Sequence, residues 1–200
     1  YMLKVVQVAA LGLMLVFFPL GSWYYLRMGY NERKGALDEL KYELPLTNFQ
    51  LIDQTGNVIQ KEDIEGGYAV IGTVERFDAN DPIIQASEGL FDEFATSKKL
   101  TMITHVESYD SLAIVNYLET INRDSISSEW HFVRGVDPFS ELYTDQPRNY
   151  LALADTSGVV RNYYDASNGE EIANMAKHIA MFVMPLLRDP ELVFKRREEK

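Results

Sequence analysis

The stretch from Tyr150 to Asp165 constrains the fold of this chain more than any other. Its first residues alternate between leucine and alanine as far as Asp155, which is the spacing of a strand. An Asp-Thr-Ser-Gly turn then ends at Gly158, where Asp can bond to its own backbone and Gly accepts a positive φ. A second extended run follows the turn. Two strands joined by so short a turn predict an antiparallel hairpin.

A helix is predicted directly after this hairpin. Ser167 and Glu170 have the S-x-x-E spacing of a capping box, in which each side chain bonds the backbone N–H of the other residue. Apolar residues then recur at helical spacing, and they are Ile172, Met175, Ile179, Val183 and Leu186. The stretch is therefore a β-β-α unit, and the apolar stripe of its helix needs a sheet to cover.

Strands and helices alternate in the middle of the chain. Tyr68–Glu75 and Leu100–Val106 are nearly continuous apolar runs, as expected of strands buried in a sheet. Asp81 and Pro82 suit the N-cap and the first position of a helix, and Asp110 starts another helix. This order implies a parallel crossover and an α/β fold with a mixed sheet flanked by helices. The helix faces are Ile83, Ala86, Leu90 and Phe94 in one, and Ile114, Leu118 and Ile121 in the other.

Two shorter patterns predict further strands. Phe49–Gly56 reads as a strand that ends in an Asp-Gln-Thr-Gly turn, and Val58 and Ile59 return from it. This is a first hairpin built by the same rule as the last one. Trp130–Gly135 predicts one further short strand.

Together these pieces resemble the SCO/SenC family, the thioredoxin-like copper chaperones that assist cytochrome oxidase assembly. Phe49–Gly56 matches the family's opening F-x-L-x-D-x-x-G hairpin, and Trp130–Gly135 matches its W-x-F-x-x-G stretch. The family also ends with a strand, a D-x-x-G turn, an R-x-Y-Y-D-like run and a last helix, as this chain does from Tyr150 onward. The resemblance covers Leu46 to Pro185 and implies a thioredoxin-like fold over that range.

The residues that bind copper in the family are missing here. The family places F-x-x-x-C-x-x-x-C-P at the end of the central strand and a histidine before the penultimate strand. With Pro82 as the anchor, the cysteine positions fall on Phe77 and Asp81, and the histidine position falls near Pro147. The chain has no cysteine at all, although soft thiolates are what select Cu(I). We therefore expect no metal and no cofactor at this site.

No other constellation of residues predicts chemistry. The three histidines share no metal-ligand spacing, and they are His105, His131 and His178. Acidic residues cluster beside Arg76, and a solvated loop with an N-cap explains them better than a cation site does. These residues are Glu75, Asp78 and Asp81. No catalytic or phosphate-binding motif is present. The formal net charge of -11 argues against binding a nucleic-acid backbone.

An uncharged apolar run from Val5 to Leu26 predicts a transmembrane helix, which needs about 20 such residues. Aromatic residues from Trp23 onward suit the headgroup layer. A cleaved signal peptide is the alternative, but no small-x-small cleavage site precedes Trp23. The basic residues after the run would place the following domain inside, whereas the family resemblance places it in the periplasm. We adopt the second orientation and expect a single-pass protein of a bacterial inner membrane.

These patterns divide the chain into four segments. Residues 1–28 are the predicted anchor, 29–45 a juxtamembrane linker, 46–187 the SCO-like domain and 188–200 a charged tail. The favoured function is a non-enzymatic subunit with a structural or assembly role in a membrane complex, and the family tie suggests a respiratory oxidase or supercomplex as its host. Two alternatives stay open: a metal carrier or redox-related enzyme with unrecognised ligands, and a free membrane-tethered binding domain of the cell envelope.

Overall fold

The computed structural model of the protein describes residues 2–40, 43–94, 99–121, 130–136, 138–140 and 149–182. The chain divides into two compact units, Tyr1–Leu40 and Lys41–Lys200. The predicted position near Pro147 and the charged tail at 188–200 lie outside the described residues.

The first unit is one helix, α1 (Met2–Glu39), which has Pro19 in its interior. It contains the whole Val5–Leu26 run and continues through much of the segment predicted as a linker. In the part of the chain that the structure describes, no helix combines the length and the apolar character needed to cross a membrane. The predicted transmembrane span is therefore not supported.

The second unit is a mixed sheet with helices. Its elements are β1 (Leu44–Pro45), β2 (Gln50–Ile52), β3 (Val58–Gln60), α2 (Lys61–Ile64), β4 (Tyr68–Arg76), α3 (Pro82–Phe94), β5 (Leu100–Ser108), α4 (Ser111–Thr120), β6 (Trp130–Val133), β7 (Tyr150–Ala154), β8 (Val159–Asp165) and α5 (Gly169–Phe182). The strand order in the six-stranded sheet is β1-β8-β7-β4-β5-β6, and β2 and β3 form a separate two-stranded sheet. β4 pairs in parallel with β5 and antiparallel with β7. The predicted mixed sheet is confirmed, and it contains the strands predicted at Tyr68–Glu75, at Leu100–Val106 and from Tyr150 onward.

Strand β4 lies between β5 and β7, and its residues from Ala69 to Val74 are buried on both faces of the sheet. One face lies against α3, where Gly72 allows close approach: a Cβ built on it would lie 2.7 Å from Cγ2 of Ile83 and 2.9 Å from Cδ2 of Leu151. On the other face, Ile71 joins an apolar cluster that includes the β2–β3 hairpin. Its buried members are Leu46, Phe49, Leu51, Ile59, Ile64, Ala69, Ile71, Ile103, Val133, Phe139, Ala152, Ala154 and Val160.

The start of α3 was predicted correctly from the sequence, and the start of α5 was not. At α3, Oδ1 of Asp81 accepts a hydrogen bond of 2.8 Å from the backbone N–H of Ile83, so Asp81 is the N-cap. At α5, the Ser167–Glu170 capping box is wrong by one residue. Asn168 is the N-cap, because its Oδ1 accepts from the N–H of Glu170 at 3.0 Å and its carbonyl from the N–H of Ile172.

Both predicted hairpin turns are confirmed and share one design. In the first, Oδ1 of Asp53 accepts from the N–H groups of Thr55 and Asn57 at 2.9 and 2.8 Å. In the second, Oδ1 of Asp155 accepts from the N–H groups two and four residues later at 2.8 and 3.1 Å. Each turn closes with a glycine at positive φ, +89° at Gly56 and +67° at Gly158, which a residue with a Cβ adopts only at a cost.

A methyl group added at Gly72 tests the packing of β4 against α3. Gly72→Ala must displace Ile83 and Leu151, so we expect it to lower the free energy of unfolding by about 1–3 kcal/mol. Gly89→Ala, in α3, is the matched control, since nothing lies within 4 Å of its Cβ position. Alanine in a helix interior should stabilise the protein by about 0.5–1 kcal/mol. Urea unfolding of the full chain measures both changes, and an equal midpoint for Gly72→Ala and the unsubstituted chain contradicts the packing described.

Candidate functional site

The carboxyl end of β4 is the first place to look for chemistry, because ligands of α/β sheets bind outside the carboxyl ends of their strands. Phe77, the first of the predicted cysteine positions, directly follows β4 and is half-buried. Its ring centroid lies 5.2 Å from that of Tyr117 in α4 and 5.6 Å from that of Phe132 in β6. The position predicted for the first cysteine is thus held by an aromatic ring that packs into the protein.

The contacts of Phe77 extend into a larger aromatic cluster. Trp130 and Phe132 stack with ring centroids 4.9 Å apart, and Phe91 of α3 stacks on Trp130 at 6.0 Å. Nε1 of Trp130 donates a hydrogen bond of 3.0 Å to the Thr104 hydroxyl, so its one polar atom is satisfied although the ring is fully buried. The cluster joins α3, α4, β5 and β6 on one side of the sheet.

Tyr117 connects the aromatic cluster to a charged residue. Its hydroxyl donates a 2.8 Å hydrogen bond to Oε2 of Glu88 in α3. Burial, with the hydrogen bond to Glu88 and the charge of that carboxylate, raises the pKa of the Tyr117 phenol well above its ordinary value. The phenol therefore stays protonated at neutral pH and acts as a fixed hydrogen-bond donor between α4 and α3.

Asp81, at the second predicted cysteine position, makes hydrogen bonds within the protein. It caps α3 as described above, and its N–H in turn bonds the carbonyl of Asp78 at 3.0 Å. Oδ1 of Asp78 accepts from the N–H of Asn80 at 2.9 Å. These bonds shape the acidic loop, whereas Glu75 and Arg76 are exposed. The carboxylates of Asp78 and Asp81 thus accept hydrogen bonds from backbone N–H groups of the loop and of the first turn of α3.

The three histidines each have a different partner. Nε2 of His105 lies 3.3 Å from the carbonyl oxygen of Gly135. Nδ1 of His131 lies 3.3 Å from Oδ2 of Asp53. Nδ1 of His178 lies 2.6 Å from the hydroxyl of Tyr164, inside the protein.

The residues present do not fit a copper site. Phe77 has no donor atom, and the carboxylate of Asp81 is engaged at the helix start. Over the described residues, no group of three or more histidine, cysteine, aspartate or glutamate side chains is arranged to hold a metal ion. The sequence holds no thiolate that could replace the family's ligands.

The Asp53–His131 contact is the feature that the sequence did not reveal. The turn pattern predicted Asp53 as a loop residue, yet its side chain is buried, with 3% of the residue exposed. Oδ1 serves the turn, also accepting from the Thr55 hydroxyl at 2.7 Å, while Oδ2 faces His131 on β6. The two residues are 78 positions apart, so no local spacing could have paired them.

The electrostatics of Asp53 favour its charged form. Burial alone would raise the pKa of this carboxyl, but hydrogen bonds from the Thr55 hydroxyl, the N–H groups of Asn57 and Thr55, and the His131 ring outweigh it. The pKa of Asp53 is therefore below its ordinary value. The buried carboxylate fixes the β2–β3 hairpin against the edge of the large sheet, which is a structural role.

The order and direction of the strands, with helices on the sheet, define a mixed α/β thioredoxin-like fold. A SCO1/SenC family lipoprotein from Bacillus anthracis str. Ames has a similar structure, with a TM-score of 0.55 and 15% identity over 69% of this chain and 95% of that one. BsSco, a member of the Sco family of cytochrome c oxidase assembly proteins, matches with a TM-score of 0.53 and 13% identity over 72% of this chain and 96% of its own.

A putative protein disulfide isomerase from Bacteroides thetaiotaomicron is similar to the same degree, with a TM-score of 0.55 and 13% identity over 72% of this chain and 91% of that one. No protein-family model matches the chain, and no curated protein matches it in sequence. At these identities the similarities establish the fold. They confirm that the structural neighbours of this chain include SCO/SenC proteins, as its motifs suggested.

Replacing the Asp53 carboxylate should weaken the fold in a pH-dependent way. Because the folded pKa lies below the ordinary value of 3.8, the charged form stabilises the fold above about pH 4, and this stabilisation is lost as the pH falls through the folded pKa. We expect Asp53→Asn to lower the free energy of unfolding by about 1–3 kcal/mol at pH 7. The difference from the unsubstituted chain should shrink below about pH 4.

Urea unfolding between pH 3 and pH 7 measures this difference. Asp78→Asn is the control, because Asp78 is exposed and asparagine keeps the Oδ1 acceptor. A difference for Asp53→Asn that is absent at pH 7, or that grows as the pH falls, contradicts the role assigned to the carboxylate.

Proposed function

We propose that this protein is a non-enzymatic, Sco-like subunit with a structural or assembly role in a membrane complex, and that the complex is a respiratory oxidase or supercomplex. The fold supports the first part, since proteins described as Sco family members share it. The link to an oxidase rests on BsSco, which is described as belonging to a family of cytochrome c oxidase assembly proteins.

The observation that carries the proposal is what occupies the predicted ligand positions. The Phe77 ring lies within 5.6 Å of two other aromatic ring centroids, and Asp81 caps α3. Both side chains stabilise the loop between β4 and α3. A Phe77→Cys change would remove aromatic packing, and an Asp81→Cys change would remove a cap worth about 1 kcal/mol. Phe77 and Asp81 therefore stabilise the fold of the domain, and neither supplies a thiolate for metal or redox chemistry.

The surface of α1 supports the membrane part of the proposal. Its apolar side chains between Leu13 and Tyr30 are exposed, for example 65% for Phe17 and 77% for Tyr25, and they occupy every side of the helix. A helix that is apolar all round is normally buried in protein or lipid. We therefore place α1 in the apolar environment of a membrane complex. The proposed location is a bacterial inner membrane with the globular unit in the periplasm.

Co-purification from membranes in mild detergent tests the proposed function. The tagged full chain should bring oxidase or cytochrome subunits with it in a fixed ratio. Gly12→Leu should weaken this association because small residues in α1 permit close approach of partner helices. Gly29→Leu, in the same helix but outside the uncharged run, is the matched control. Recovery of the protein only as a free monomer contradicts the proposal.

The same cells report on location. Protease added to intact spheroplasts should digest the globular unit if it faces the periplasm. Full protection while the inner membrane is intact would reverse the proposed orientation.

A further inference from the structure

The β2–β3 hairpin lies against the outer edge of β6, which is the last strand of the six-stranded sheet. Ile52 and Arg134 form an antiparallel bridge there. The N–H of Ile52 donates to the carbonyl of Arg134 at 3.1 Å, and the N–H of Arg134 donates to the carbonyl of Ile52 at 3.0 Å. This exchange is the ordinary pairing of two strand residues.

Gln54 continues the pairing with its side chain. Its Nε2 donates to the carbonyl of Trp130 at 3.0 Å, and its Oε1 accepts from the N–H of Phe132 at 2.8 Å. The primary amide therefore offers one donor and one acceptor to β6, as a backbone peptide group of a neighbouring strand would. With the Ile52 bridge, these bonds engage outward-facing backbone groups of residues 130, 132 and 134.

Two further contacts hold Gln54 in place. The adjacent Asp53 carboxylate faces His131 on β6 with Oδ2 and fixes the turn with Oδ1. On the strand before the turn, Leu51 is fully buried in the apolar cluster. The backbone that carries the Gln54 amide is thus held by the hydrogen bonds of Asp53 and by the burial of Leu51.

A short strand lies at the opposite edge of the large sheet. The edge strand β1 has only two residues, Leu44 and Pro45, and they pair with Val160 and Val159 of β8. Pro45 has no N–H to offer to another strand. Short edge strands and proline at edges are features that prevent association between sheets.

We infer that the Gln54 side chain acts as a surrogate strand residue, which closes the β6 edge and prevents this domain from pairing edge to edge with a second copy of the chain. An uncovered strand edge presents unpaired N–H and C=O groups that template such pairing. The inference concerns the globular unit alone and is independent of the proposed function.

The test replaces the amide while keeping the length of the side chain. Gln54→Met in the full chain removes both hydrogen bonds, and Gln50→Met, at an exposed position of the same hairpin, adds the same side chain without touching β6. We expect hydrogen exchange at the Phe132 amide to become roughly tenfold faster in Gln54→Met, as for the loss of about one net hydrogen bond. The control should exchange as the unsubstituted chain does.

Sedimentation in detergent over a range of protein concentrations gives the second readout. Gln54→Met should form concentration-dependent dimers, while Gln50→Met and the unsubstituted chain share one distribution. Unchanged exchange at Phe132, or faster exchange without added association, overturns the inference. So does faster exchange at the β6 amides that pair with β5, because the variant would then have melted the strand instead of opening its edge.

Discussion

The burial of β4 on both faces is the constraint on which the rest of the globular unit depends. A strand in this position needs mainly apolar residues on both faces and must meet a helix closely on one side, which Gly72 permits beside Ile83 and Leu151. Its other face requires cover from the β2–β3 hairpin, through residues such as Leu51. Because α3 packs on one face of β4 and the hairpin on the other, the position of the loop after β4 is fixed by packing.

In that loop, the two predicted ligand positions that the structure describes make contacts within the fold. Phe77 adds a ring to the cluster around Trp130 and Phe132, and Asp81 bonds the first turn of α3. On the other face, the Asp53 carboxylate holds a hairpin against a sheet edge. In each case a polar or aromatic side chain contacts a neighbouring residue inside the fold, and this contact stabilises the fold.

The sequence predicted what local rules decide. The alternation in β7, the Asp–Gly turns and the Asp81 cap follow from residues a few positions apart, and all three are found in the structure. The α5 cap was misplaced because Ser167 and Asn168 are both good N-caps, and the side-chain contacts of the folded protein favour Asn168. The Gln54 and Asp53 contacts with β6 could not be predicted, since they join residues 76 to 78 positions apart. The described part of the structure does not support the predicted membrane span.

Copper binding by the full chain is the most direct test of the claim that the family's site has been replaced by packing. Cu(I) and Cu(II) should be titrated against a competing chelator, beside a variant carrying both Phe77→Cys and Asp81→Cys, which restores the thiolate spacing before Pro82. The account predicts no chelator-resistant copper on the unsubstituted chain and Cu(I) retention by the variant, because thiolates select that ion. Stoichiometric copper on the unsubstituted chain, lost when a single histidine is replaced, would contradict it.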